Sequence, residues 1–82
     1  MRNFKIYTDL SDIYLEVKVL DIKELREPFD VIFLESDNPD DACHEVVQRY
    51  IKAVMSNSQT IEDRIICEKI KKFLRIDRIE AV

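Results

Sequence analysis

The stretch Phe4-Lys5-Ile6-Tyr7-Thr8-Asp9-Leu10-Ser11-Asp12-Ile13-Tyr14-Leu15-Glu16-Val17 decides how the chain is read. Apolar and polar residues alternate on both sides of Asp9-Leu10-Ser11-Asp12, which carries turn-forming residues. Taken as a loop, those four set Thr8 against Ile13, Tyr7 against Tyr14, Ile6 against Leu15, Lys5 against Glu16 and Phe4 against Val17. One face then holds an aromatic pair and an opposite-charge pair, each worth roughly 0.2–1 kcal/mol between facing strands. A slip of one residue would scramble both faces. The pattern predicts an antiparallel β-hairpin over residues 4–20, with Tyr7 and Tyr14 side by side on its outer face.

Further along, Asp21 and Glu24 are placed to cap a helical turn over Ile22–Arg26, which Pro28 ends. Phe29-Asp30-Val31-Ile32-Phe33-Leu34 reads as a third strand, and its apolar run Val31–Leu34 predicts a central position covered on both sides. Asn38-Pro39-Asp40-Asp41 is a helix start: Asn38 caps, Pro39 takes the first helical position, and two carboxylates meet the positive end of the dipole. That helix is predicted to about Ser56, with Cys43, Val46, Val47, Tyr50, Ile51 and Val54 inward. Asn57-Ser58 breaks it, Asn being the natural left-handed residue where glycine is lacking. Thr60 and Asp63 resemble a capping box for a second helix to about Arg75, with Ile66, Cys67, Ile70, Phe73 and Leu74 inward. Residues 77–81 are predicted to return as a last strand. The expected architecture is an α+β two-layer domain, β-β-β-α-α-β, with both helices on one face of a small mixed sheet.

Composition bounds function mostly by exclusion. The 82 residues contain no glycine and no tryptophan, where ordinary usage would give about six glycines. The glycine-rich phosphate loop, the dinucleotide fingerprint, the glycine nucleophile elbow and the EF-hand turn are therefore excluded. Hydrophobic residues are 46% and charged residues 37%, too apolar a mixture for disorder. No apolar run approaches the ~18 residues of a membrane helix, and no apolar stretch follows the charged N-terminus, so neither a membrane span nor a signal peptide is expected. Two cysteines do not make a disulfide framework, and a cytoplasmic protein with reduced thiols is the expectation.

The chemical inventory is short. Cys43 and His44 are neighbours on a helix and point about 100° apart, so they do not converge as a nucleophile and base. Cys67, across an antiparallel helix pair, lies ~6 Å or more from the height of Cys43. Glu35, Asp37, Asp40, Asp41 and Glu45 are the densest acidic cluster, but helix capping accounts for two of them and no regular metal-ligand spacing is present. No catalytic residue, cofactor, metal or small-molecule ligand is indicated, and enzyme activity is not expected.

Three features point instead to macromolecular partners. Tyr7 and Tyr14, if exposed together, suit a protein interface, or base stacking if cations flank them. Ile61 and Ile65 lie about 100° from the second helix's main apolar face, and Met55 sits beyond the first helix's stripe, so the three suit either a second buried stripe or an interface. Charge is also uneven: residues 1–45 hold 12 acids and 5 bases, residues 46–82 hold 5 acids and 8 bases. Arg64, Lys71 and Arg75 share one arc of the second helix, a candidate phosphate-contacting surface weakened by Glu68. The leading expectation is a small protein-interaction or regulatory module binding another protein or itself as a homodimer. Nucleic-acid binding through the basic arc, or mimicry of nucleic acid by the acidic half, is the alternative.

Overall fold

Alternation along the first strand is realised as the sequence predicts. β1 (Arg2–Asp9) buries Phe4, Ile6 and Thr8 and leaves Lys5 and Tyr7 half-buried on its other side. The structure, a computed structural model, describes residues 1–57 and 61–82. The class is α+β, with an N-terminal antiparallel strand pair and two main helices against a three-stranded sheet.

The second strand of that pair is not the one expected. β1 pairs with β2 (Phe29–Ser36), Phe4 facing Leu34, Ile6 facing Ile32 and Thr8 facing Asp30. Residues 11–20 coil instead into short helical turns, including α1 (Tyr14–Val17). The physical reason is a second period hidden in the same residues. Leu10, Ile13 and Val17 repeat at helical spacing and are all buried, with Leu20 packed against them, whereas the helical turn exposes Leu15, which the strand reading paired with Ile6. Ile22 and Leu25 extend the buried set, so residues 10–25 form a helical cover over one part of the core. Tyr14 is half-buried there, its hydroxyl donating to the Arg26 carbonyl at 2.7 Å, and it is not beside Tyr7.

Asp21 does not cap the following turn. The turn Lys23–Leu25 has no side-chain cap, and Asp21 ends the preceding one with φ 51°, the single positive φ among the described residues. Without glycine, an aspartate takes the left-handed position, which short polar side chains tolerate best after glycine.

α2 (Pro39–Asn57) starts where predicted, Asn38 accepting from the Asp41 N–H at 2.9 Å. It buries Ala42, Val46, Tyr50 and Val54, four residues apart, against the sheet. α3 (Ile61–Phe73) returns beside it and buries Ile66, Cys67 and Ile70. Ser58 and Thr60, part of the predicted break and cap, lie outside the described residues. α3 ends before Arg75, which opens β3 (Arg75–Ala81). β3 runs antiparallel to β1, giving the order β2-β1-β3 and an antiparallel sheet rather than a mixed one. β1 is therefore central and β2 an edge, the reverse of what the apolar run Val31–Leu34 implies. No helix among the described residues is long and apolar enough to cross a membrane.

One polar contact ties the layers. Tyr50 on α2 and Thr8 on β1 share a hydrogen bond of 2.9 Å between buried hydroxyls. Burial pushes the Tyr50 phenol above its ordinary range, so it stays neutral.

Candidate functional site

Both helices and the 10–25 cover contribute to the core beside Phe4, Ile6 and Leu34. None of the elements among the described residues packs on the other face, which is built from the odd-numbered residues of β1 and β2 together with Arg78 and Glu80. Along β2, Phe29, Val31 and Phe33 stand in line at 61%, 38% and 63% exposure. The run that sequence reasoning placed inside a two-sided core is half core and half open surface.

Tyr7 sits at the middle of this face, opposite Val31 on β2 and Arg78 on β3. The Arg78 guanidinium lies 4.3 Å from the Tyr7 ring centre, and the Lys5 ammonium 5.2 Å from it. Lys5 also reaches the Phe33 ring at 5.9 Å, so one cation bridges aromatics on two strands. Lys5 first, then Arg78, holds the Tyr7 phenol below its ordinary range. The cations are balanced locally: Glu80 pairs with Arg78 at 3.1 Å, and Glu35 stands beyond Phe33 on the same strand. The face is thus aromatic, ringed by paired charge and close to neutral.

The other predicted residues are dispersed. Ile61 and Ile65 are exposed at 76% and 51% and line an open groove of about 420 Å³ on α3 with Arg64, Glu68, Lys72 and Phe73. Met55 does not join them and packs against the core. The basic arc does not form. Lys71 pairs with Glu68 at 3.2 Å, and Arg75, on β3 rather than α3, meets Asp12 at 3.1 Å and Asp9 at 3.7 Å. Lys69, in the same groove, is held by Glu16. Arg64 and Lys71 remain exposed cations of α3, Lys71 ion-paired, while Arg75 lies off the helix.

Cys43 is half-buried and Cys67 buried, and burial raises both thiols above their ordinary range, which favours the unreactive protonated form. His44 is exposed. Among the described residues no three His, Cys, Asp or Glu side chains are grouped to hold a metal ion.

Sequence reasoning placed Tyr7 on an outer face and missed Phe29, Val31 and Phe33. The signal was present: two apolar helical stripes are enough to cover one face of a sheet, so a strand apolar on both sides had to leave one side bare. Comparison with protein-family models, with curated proteins and with solved structures finds no match.

Proposed function

We propose that this chain is a small non-enzymatic protein-interaction or regulatory module of the cytoplasm, with the open sheet face as its working surface. The observation that carries the reading is the line Phe29, Val31, Phe33, two aromatics and a valine exposed side by side on one strand. Contiguous apolar residues on a folded surface mark sites that another molecule covers, and aromatic residues with an arginine nearby are the usual energetic centres of protein interfaces. The near-neutral charge of the face favours a protein partner over a polyanion.

The test is affinity capture from host lysate with wild type, Phe33→Lys and Ile65→Lys, each with and without nuclease. Phe33→Lys should abolish capture of protein while leaving the far-ultraviolet spectrum and thermal midpoint unchanged, and Ile65→Lys should capture normally. Capture indifferent to Phe33→Lys sinks the reading. A second reading, single-stranded nucleic acid on the same face, is favoured by one observation: Arg78 and Lys5 flank the Tyr7 ring, as base-stacking platforms require. Capture lost on nuclease treatment would favour it, with binding that collapses as salt rises.

A further inference from the structure

We infer that β2 of one chain pairs antiparallel with β2 of a second copy, Val31 against Val31, joining two three-stranded sheets into one of six. This rests on the reading of the open face as an interaction surface and names its partner. The starting point is a difference between the sheet's two edges. β3 is guarded in the ways edge strands ordinarily are: its register shifts so that Asp77 has no partner on β1, and Arg75, Asp77, Arg78 and Glu80 put charge on four of its seven residues. β2 is less guarded, with charge on only two of its eight residues, Asp30 and Glu35. Its eight residues run in unbroken register with β1, and no proline or lysine interrupts them.

The direction of its backbone groups follows from the ladder. The Leu10 N–H donates to the Pro28 carbonyl at 2.7 Å, one step beyond the Asp9–Phe29 pair. In an antiparallel ladder hydrogen-bonded pairs alternate with non-bonded ones. Even-numbered β2 residues therefore bond to β1, and Phe29, Val31, Phe33 and Glu35 turn their N–H and C=O groups outward along the free edge. The same residues carry their side chains on the open face.

A two-fold axis through Val31 matches this edge to itself. Residues that face each other across an antiparallel seam share a side of the sheet, so Val31 meets Val31, and Phe29 meets Phe33 of the second copy on both sides of the axis. All three pairs are of the hydrogen-bonded kind, up to about six new backbone bonds. Centring on Ile32 would oppose Phe29 to Glu35, and centring on Phe33 would oppose Val31 to Glu35. Of these three registers, only the one on Val31 keeps charge out of the open-face seam within β2, and on the other face it sets Asp30 against Ile32. In the single chain the Asp30 carboxylate accepts from the Val31 N–H at 2.8 Å, and this exposed side chain swings aside to release it. Four phenylalanines and two valines with five residues of backbone per chain bury less than the ~1,200 Å² at which stable interfaces begin, so the dimer is reversible and concentration dependent.

Sedimentation equilibrium from micromolar to millimolar protein, with backbone hydrogen exchange across the same range, tests this. The expected mass rises from 9.8 kDa toward twice that value, and the Phe33 amide gains protection with it. The Ile32 amide, bonded to β1, is protected throughout. Val31→Pro removes an outward N–H at an edge position where proline is tolerated, and should weaken association roughly tenfold or more. Val31→Lys, which keeps the backbone intact, serves if the proline variant does not fold, and should weaken it likewise. A monomer at all concentrations overturns the inference, as does a dimer without added Phe33 protection, a dimer indifferent to both variants, or open-ended assembly. A monomer that still captures protein through Phe33 overturns this inference and leaves the interaction reading standing; one whose capture ignores Phe33→Lys removes both.

Discussion

On one face of the sheet Phe4, Ile6 and Leu34 are buried against the helices. On the other, one step along the same strands, Val31 and Phe33 stand in solvent. Along β2 both faces carry large apolar residues. What differs is the supply of covering elements: α2, α3 and the 10–25 segment all join a single core. Burial here is decided by the number of layers rather than by the apolarity of the strand, and the bare face keeps a hydrophobic surface whose stabilisation is available to association instead of folding.

The comparison is most sharply tested by removing the same kind of side chain from each face. Ile6→Ala should destabilise by about 2–5 kcal/mol in urea unfolding, because a fully buried site loses apolar contact and leaves a cavity. Phe33→Ala, in dilute protein, should shift stability by no more than ~0.5 kcal/mol. Equal effects would break the distinction. A smaller effect comes from the polar contact within the covered layer. Tyr50→Phe removes the hydroxyl bonded to Thr8, while Thr8 retains its long contact to the Asp30 carbonyl at 3.4 Å. A loss of about 0.5–1.5 kcal/mol in the same assay is expected, and no loss would mean that the hydroxyl pair does not help hold α2 to the sheet.

The smallest effect sits where the two faces end, at Asp9. The Ser11 hydroxyl and N–H, the latter at 2.7 Å, stabilise the Asp9 carboxylate and lower its pKa below the ordinary 3.8; Arg75 adds to this. A carboxyl lowered in the folded state stabilises the fold fully above its ordinary value, and that contribution disappears as pH falls through the lowered one. Asp9→Asn should therefore flatten the acid limb of the stability curve and reduce stability at neutral pH. Parallel curves for the two proteins, measured by denaturation midpoint from neutral pH downward, would show that Asp9 is not held in this way.

The helices and the strand positions were largely legible in the sequence, because helix start signals and long apolar stripes are local. Asn38-Pro39 set the start of α2 and Val46, Tyr50 and Val54 its inner face, all without reference to the rest of the chain. The 10–20 segment was not legible, since Leu10, Ile13 and Val17 satisfy a helical period while Ile13, Leu15 and Val17 satisfy a strand period. Only the presence of β2 as a better partner for β1 decides between them, and that is a long-range fact. Of the candidate site, Tyr7 was readable as outer-face from strand alternation, whereas periodicity put Ile61 and Ile65 off the main helix face and left a buried stripe and an interface both open. Tyr14 was misplaced because its segment coils into a helical turn, and Arg75 because α3 ends before it. Phe29, Val31 and Phe33 were hidden by a run that is apolar on both sides.

The left-handed Asp21 has a thermodynamic counterpart in the unfolded chain. Glycine adds more backbone freedom to an unfolded polypeptide than any other residue, and ordering it loses the most. A chain with none begins folding from a narrower set of conformations, so each turn is ordered from a stiffer starting state. Among the described residues the counterpart of that stiffness falls at Asp21, where an aspartate holds a dihedral angle that glycine would reach without strain. This chain thus limits the entropy lost on folding and accepts local strain at the Asp21 turn.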